Sequence, residues 1–502
     1  MKNLIIFLYL CCCCHILVAQ DYFSRTYDPF NHGPELLKDI QLVDEQLRIT
    51  AIGFCTDQRC LGQLILDQQG NLVSADTILP GFDPGFFPVY TDSTFTTAGF
   101  DTPIDSKYML YQSNLDGDSL GLIDLQISGD RYHHYFNKGM IEYNNQYVVY
   151  GQVTDREDLW EEQEKVKGLL FWVNKDLTLD TITFIEPPER WLLLYEAQID
   201  PQNQLTFIYQ YTKRHPISQL NLYYKALIKL NEERQVVFNR ESTSSDNTQS
   251  NLAILDDGTM VTDFNGSRGT EEILAIAPDG ELKWTYTFDN LLGFASHGVL
   301  DLGIAANGDI IGCGLMSSAK FDYGESGYIF RLSPQGELLW ERIYLLEPDT
   351  DPELPENWPL LSYLFQIIEL PNGGLVAGGE VLRPYNDPVQ GPRSDQDVWI
   401  IRTDAEGCMQ EDCGFEQLIT DVEEVTLSSL AQPLIYPNPT RDILHIDTPH
   451  SPDAYQLLDS NGRMLQSGAF QPSISLQPWP PGIYLLRLIR EQSVATFKVL
   501  KQ

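Results

Sequence analysis

The sequence holds 502 residues, with 71 Asp and Glu against 33 Lys and Arg, a formal net charge of −38, and 43% hydrophobic residues. So acidic a chain, with no basic patch, repels nucleic acid and anionic lipid, and neither is expected as a partner. The acidity reads as solubility outside the cell or as cation binding. Asp116-Gly117-Asp118 and Asp349-Thr350-Asp351 lack the full spacing of a calcium loop, so no metal ligand and no cofactor are assigned.

In chain order, Met1-Lys2-Asn3 is a short basic start, and residues 4–18 form an apolar run too short and wrongly flanked to span a membrane. Leu17-Val18-Ala19 before Gln20 fits a small-residue cleavage site, so residues 1–19 read as a signal peptide. The run Cys11 to Cys14 raises a lipoprotein alternative with Cys11 lipidated, but Leu10 is bulky where that processing wants a small residue. No later stretch is apolar for long enough to be a transmembrane segment.

Residues 20–415 carry one unit repeatedly, clearest at 251–288. There a short strand turns at Asp256-Asp257-Gly258, returns through Phe264, and a second hairpin turns at Pro278-Asp279-Gly280. Leu282, Trp284, Tyr286 and Phe288 alternate onto one face of its closing strand. First-hairpin turns recur near Asp44, Asp92, Asn144-Asn145, 201–203, Asp257-Gly258, Asn307-Gly308 and Asn372-Gly373. Second hairpins recur at 66–72, 114–118, 173–177, 230–234, 278–280, 332–340 and 403–407. The two series interleave with a period of about fifty to seventy residues, the mark of stacked units that cannot bury their faces alone. Four short strands per unit point to an all-β fold, a seven-bladed β-propeller. A β-sandwich or two smaller β-domains would have no reason to repeat one hairpin pair. The last unit lacks a good fourth strand after Gly407. Tyr22-Phe23-Ser24-Arg25-Thr26-Tyr27 resembles the closing strands Trp284–Phe288 and Trp340–Tyr344, and is expected to supply it, which removes an open edge.

Of nine cysteines, Cys55, Cys60, Cys313, Cys408 and Cys413 lie beyond the signal peptide. An exported chain keeps disulfides. Cys55 and Cys60 bracket one loop and Cys408 and Cys413 follow another turn, on opposite faces of the ring, so two local bridges are expected rather than a cross-link or a zinc site. Cys313, between Gly312 and Gly314, reads as a core thiol.

In such a meander, turns within hairpins are tight and fall on one face. The spare length falls on the other, at 155–167, 212–219, 345–361 and 382–396. Loops on a rigid scaffold are where ligands bind, and Trp160, Tyr323, Trp358 and Tyr385 lie in or beside these loops. They are candidate ligand-contact residues, or pins that hold their own loops to the ring. No catalytic residue is assigned. Gly117-Asp118-Ser119-Leu120-Gly121 matches a hydrolase nucleophile pattern, but it sits in a hairpin turn and not at a strand-to-helix turn. His133-His134 on a strand face opposite ways. Gly312-Cys313-Gly314 and Gly373-Gly374 lack the context of a phosphate loop. Acidic residues from several blades could still converge on the channel.

Composition shifts after Cys413. Residues 416–432 are polar and acidic and read as a linker. Residues 433–502 hold short strands at 443–446, 455–458, 473–476, 483–488 and 495–500, with an Asn461-Gly462 turn, and suggest a small β-sandwich. Four motifs carry a resemblance: Tyr436-Pro437-Asn438-Pro439 with Asp442; Asp459-Ser460-Asn461-Gly462-Arg463; Pro481-Gly482-Ile483-Tyr484; and Lys498-Val499-Leu500-Lys501. This stretch resembles the type A C-terminal sorting domain of the type IX secretion system of Bacteroidota. The resemblance implies export across the outer membrane to the cell surface or medium by the secretion machinery, with Gly482 and Tyr484 in the recognised domain. It also implies removal of the tail by a C-terminal signal peptidase upstream of Leu434, followed by release or attachment to a surface lipopolysaccharide. For the propeller the expectation is a binding or adhesion module for an extracellular glycan or protein. The alternative is a hydrolase or lyase acting on polysaccharide or peptide at the channel mouth.

Overall fold

The computed structural model describes residues 22–28, 35–55, 58–80, 82–84, 88–91, 93–101, 108–115, 119–125, 127, 132–155, 166–186, 191–214, 221–242, 251–265, 271–288, 294–318, 325–346, 361–387, 391–410, 413–419, 423–426, 434–436, 440–447, 452–459, 463–490 and 493–501. The chain divides into two compact units, Met1–Val425 and Thr426–Gln502. Among the described residues every regular element is a strand.

The first unit begins with β1 (Phe23–Asp28). The first sheet holds β2 (Leu36–Val43), β3 (Gln46–Cys55), β4 (Gln58–Leu66) and β5 (Leu72–Pro80). In the second, β6 (Phe82–Pro84) and β7 (Val89–Tyr90) both pair with β8 (Thr94–Asp101), followed by β9 (Tyr108–Asn114) and β10 (Ser119–Asp124). The third is β11 (Tyr132–Tyr143), β12 (Gln146–Asp155), β13 (Val166–Asn174) and β14 (Leu179–Ile185). The fourth is β15 (Leu192–Ile199), β16 (Leu205–Arg214), β17 (Asn221–Leu230) and β18 (Val236–Glu241). The fifth is β19 (Leu252–Ile254), β20 (Met260–Asn265), β21 (Glu271–Ile276) and β22 (Leu282–Thr287). The sixth is β23 (Phe294–Ile304), β24 (Ile310–Ser318), β25 (Glu325–Leu332) and β26 (Leu338–Leu346). The seventh is β27 (Leu361–Glu369), β28 (Leu375–Asp387) and β29 (Gly391–Thr403), completed by β1.

These sheets follow one another in a propeller-like arrangement. β4 touches β6, β8 touches β11, β12 touches β15, β15 touches β19, β19 touches β23, and β24 touches β27. The circuit returns on itself, since β2 touches β27, β28 and β29. Apolar side chains fill the seams. Trp172, Leu192 and Phe207 lie between the third and fourth sheets. Val261, Phe330 and Ile343 lie between the fifth and sixth, and Ile329, Leu364 and Trp399 between the sixth and seventh.

The turns explain the repeat. Asp44-Glu45 and Asn144-Asn145 both carry positive φ, the backbone of a two-residue hairpin turn. Elsewhere the turn places a single residue at positive φ, most often glycine, as at Gly258, Gly280, Gly308, Gly336, Gly373 and Gly407. Two backbone bonds close each of these; at 277–281 Gly280 N donates to Ala277 O and Ala277 N to Glu281 O.

β1 lies antiparallel to β29, with Phe23 opposite Arg402 and Tyr27 opposite Val398. It repeats the packing of a closing strand. Tyr344 Oη donates to Gly407 O at 2.7 Å, and Tyr27 Oη donates to Gly70 O at 2.7 Å. Trp340 packs against Gly407, Trp284 against Gly336 and Phe23 against Gly70, each so close that a Cβ on the glycine would meet the ring within 2.7 Å. Arg342 stacks over Trp340 as Arg25 does over Phe23.

Two segments differ from expectation. Residues 416–432, read as a linker, include β30 (Glu416–Ile419), parallel to β26, and β31 (Glu423–Thr426), beside β1. Their polar composition hides an edge strand whose Gln417 and Ile419 are buried. The stretch 382–396, read as a loop, is a hairpin in which Leu382 pairs with Gln396 and Asp387 with Gly391. β27 ends its pairing at Leu382, so beyond it β28 has one partner, and a strand with one partner tolerates Pro384.

The second unit has two sheets. One is β32 (Leu434–Tyr436), β33 (Ile443–Asp447) and β36 (Ser473–Ser475). The other runs β35 (Met464–Ala469), β34 (Ala454–Asp459), β37 (Gly482–Arg490), β38 (Ser493–Lys501). Leu444, Ile446 and Ile474 of the first pack on Tyr455, Leu457, Leu486 and Leu488 of the second, which makes the expected sandwich.

Candidate functional site

The first strands of the sheets sit side by side, and β-bulges interrupt them. The register slips at Lys38, Lys138, Tyr195, Leu300 and Phe365. In three of these strands a polar side chain follows the slip and reaches the next sheet. Glu196 Oε2 accepts from Leu252 N at 2.6 Å, and Asp301 Oδ2 accepts from Ile367 N at 2.8 Å. Gln366 Oε1 accepts from Ile40 N at 2.6 Å while its Nε2 donates to Asp39 Oδ1 at 2.9 Å. In β19's sheet Asn251 Nδ2 donates to Val299 O at 3.1 Å. These bonds join the fourth sheet to the fifth, the fifth to the sixth, the sixth to the seventh and the seventh to the first.

Burial shapes the charge on this belt. It pushes Asp39 up to about 7 against the bonds from Gln366 and Gln41, with Asp301 adding its repulsion. Desolvation also raises the part-buried Asp301 to about 7, and burial raises Glu196 well above the carboxylate range, with Asp301 and Asp263 contributing. Asp263 has a counter-ion, since Lys225 Nζ lies 3.2 Å from Oδ2 and both side chains are fully buried. Glu380, raised by burial to about 7, accepts from Leu37 N and from Gln396. Lys138, lowered by burial, lies over the Tyr195 ring.

Sequence reasoning missed these residues, although a signal existed. Glu196, Asn251, Asp301 and Gln366 each stand six positions before the turn residue Gln202, Asp257, Asn307 or Asn372. A second feature is a cleft of about 250 Å³ between the fourth and fifth sheets, lined by Ile208, Leu227, Leu274 and Ile276 and by Arg240 and Glu272.

Of the sequence-derived loop aromatics, Trp160, Tyr323 and Trp358 lie outside the described residues. Tyr385 stands on β28 opposite Arg393, with its side chain outside the description. The side chains of His133 and His134 are likewise outside it, as are Gly117 and Asp118. Ser119 opens β10, so a strand and not a helix follows it. Cys408 and Cys413 form a disulfide, with Cα atoms 5.5 Å apart. Cys60 is also disulfide-bonded; the side chain of Cys55, its expected partner, lies outside the described residues. Cys313 is a free, fully buried thiol. Among the described residues no cluster of His, Cys, Asp and Glu could hold a metal ion, and no helix is long and apolar enough to cross a membrane.

In the second unit Gly482 begins β37, and Tyr484 is buried with its Oη donating to Pro480 O. Residues 437–439 and the side chains of Tyr436 and Lys498 lie outside the described residues. Lys501, three residues on, is buried, and its Nζ donates to Leu476 O at 2.8 Å and Trp479 O at 2.7 Å. It therefore holds the turn ahead of Gly482 in place.

Residues 434–502 match the family described as secretion system C-terminal sorting domain. The curated proteins contain no sequence match. Among solved structures the chain is similar to Sqt1 from Chaetomium thermophilum (8% identity, 76% of this chain and 97% of that one, TM-score 0.42). It is also similar to an α-L-arabinanase from Penicillium chrysogenum (11%, 63% and 99%, TM-score 0.40). A third is PorZ, a bacterial surface component of the type-IX secretion system of Porphyromonas gingivalis (8%, 94% and 100%, TM-score 0.23). At these scores the likenesses say nothing of what this chain binds. The sorting domain marks the protein for export to the cell surface or outer membrane.

Proposed function

We propose that residues 20–415, with β30 and β31 that follow them, form a seven-bladed β-propeller acting as a binding or adhesion module on the outside of the cell. Residues 1–19 would carry the chain across the inner membrane, and the sorting domain would carry it onward. The observation that carries the non-catalytic reading is the state of the inner carboxylates. Glu196 and Asp301 accept backbone N–H groups of the neighbouring sheet, and Asp39 is held by Gln41 and Gln366. Acids committed to structural donors are poor candidates for proton transfer to a substrate, which needs reach to the reacting group. A partner that meets the protein by its long-connection face would be an extracellular glycan or protein, since −38 charges disfavour polyanions.

The released propeller should retain glycans or peptides on arrays and leave them uncleaved on prolonged incubation. Turnover of a retained polysaccharide or peptide, lost on a substitution in the propeller, would replace this reading with that of a hydrolase or lyase. Cys55 is expected to pair with Cys60, which peptide mapping under non-reducing conditions would check.

A further inference from the structure

The strands of the fifth sheet hold three, six, six and six residues, against eight, ten, ten and six in the fourth. A shorter sheet covers less of the face set against it. Ile208, Leu227 and Ile276 pack with Leu252 and Met260 in the seam between the two. The same three also line the cleft of about 250 Å³, together with Leu274 and Leu282, and Leu282 is 50% exposed, so the cleft opens to solvent. Arg240 lines it too. It stands on β18 opposite Leu227, and its stem runs toward the fifth sheet, where a Cβ on Gly280 would lie 3.9 Å from Arg240 Cδ. Its Nη1 is buried and has no hydrogen-bond partner. A charged donor left in that state is costly and calls for an acceptor. Neither acid of the cleft supplies one. Glu241 is engaged elsewhere, accepting from Tyr211 Oη at 2.8 Å and Lys213 Nζ at 2.9 Å, and Glu272 forms no ion pair with Arg240.

We propose that this cleft is a binding site for a small carboxylate on a branched aliphatic body, the carboxylate taken by the guanidinium of Arg240 and the body by Ile208, Leu227, Leu274 and Ile276. Arginine takes a carboxylate in two parallel charge-assisted bonds, which a neutral group of the same shape does not match. The aliphatic lining gains by giving up water to an aliphatic ligand. Size bounds the ligand. The cleft is larger than a cavity of ~150 Å³ that holds benzene and smaller than the ~300–1,000 Å³ that take drug-sized molecules, which leaves room for roughly six to ten non-hydrogen atoms.

Glu272 sharpens the choice. Its charge disfavours a dianion such as phosphate, which would also leave the aliphatic lining unmatched. Two sources present the chemistry that remains: a free short-chain branched acid, and an aliphatic amino acid, whose ammonium group Glu272 would complement. This site is separate from the long-connection face proposed for adhesion, so glycan and peptide arrays that retain nothing are compatible with a filled cleft, and the two readings fail independently.

The test is calorimetric titration of the full chain with 4-methylpentanoate, with L-leucine and with 4-methylpentanamide, which has the acid's shape without its charge. The proteins are wild type, Arg240→Met and the control Lys283→Met, which removes a surface lysine paired with Asp257. Wild type and control are expected to bind the acid or the amino acid at least about tenfold more tightly than the amide, and Arg240→Met to lose about tenfold or more of that affinity. Tighter binding of 4-methylpentanoate identifies a free acid as the source and tighter binding of leucine an amino acid; either bears the proposal out. No binding up to about 10 mM, an amide that binds as well as the acid and the amino acid, or an affinity unchanged in Arg240→Met would overturn it. If Arg240→Met does not fold, the comparison with the amide on wild type decides alone.

Discussion

Lys225 and Asp263 show what a single buried pair can decide. Both side chains are fully buried, 3.2 Å apart, and Asp263 also accepts from Asn251 N at 2.6 Å. Removing one partner strands a charge, at a cost of about 3–5 kcal/mol, whereas removing both costs far less. Lys225→Met is therefore expected to be several kcal/mol less stable than wild type, and Lys225→Met with Asp263→Asn to recover most of the loss, by urea titration; a double variant as unstable as the single would contradict the pairing. Glycines make a second residue-scale case. Gly336 has φ +82° and an added Cβ would lie 2.6 Å from Trp284, while Gly373 has φ +85° but its added Cβ would meet only Ala405 at 3.8 Å. Gly373→Ala should cost about 1 kcal/mol from backbone strain alone, and Gly336→Ala clearly more, about 2–3 kcal/mol, because the indole must also shift. Such residues were half legible. Asp257-Gly258 and Asn372-Gly373 announce turns by chemistry. Leu177 and Arg234 hold the same left-handed position without glycine, and only the repeat located them.

At the scale of elements, β1 is the strand whose place in the ring follows from its likeness to distant strands. Phe23 and Tyr27 share the spacing of Trp340 and Tyr344, and the structure gives each pair a turn glycine as partner, Gly70 and Gly407, and a 2.7 Å hydroxyl bond to it. If the two strands are equivalent, Tyr27→Phe and Tyr344→Phe should each cost about 1–2 kcal/mol, and within error the same amount, by chemical denaturation. A negligible effect of Tyr27→Phe alone would mean that the N-terminal strand closes the ring only loosely. β30 and β31 were hidden for the opposite reason. They are short, polar outer strands with one partner, and their signal is no stronger than that of a loop. β35 is a similar case, its residues mostly exposed, so no alternation betrays it. The inner belt escaped because a bulge shifts the two-residue alternation, and an acid inside a first strand then reads as an outward-facing residue.

At the scale of the whole molecule, the repeat, the closure and the C-terminal sandwich were legible because each rests on spacing that recurs or on motifs spread over a domain. The face proposed for binding was not, because its long connections carry no repeat. In the second unit Lys501 holds the turn ahead of Gly482. Lys501→Met removes bonds to three backbone carbonyls and should cost the tail domain about 1–3 kcal/mol and reduce export, leaving the first unit's unfolding unchanged. The central claim is that residues 433–502 deliver this propeller to the outside. It is tested most directly by cell fractionation with intact-mass analysis of the full chain and of a version ending at Gln432. The account predicts full-length protein at the surface or in the medium, lacking its tail, and the shortened protein held in the periplasm. Equal distribution of the two would show that the tail is an ordinary β-domain and would contradict the account.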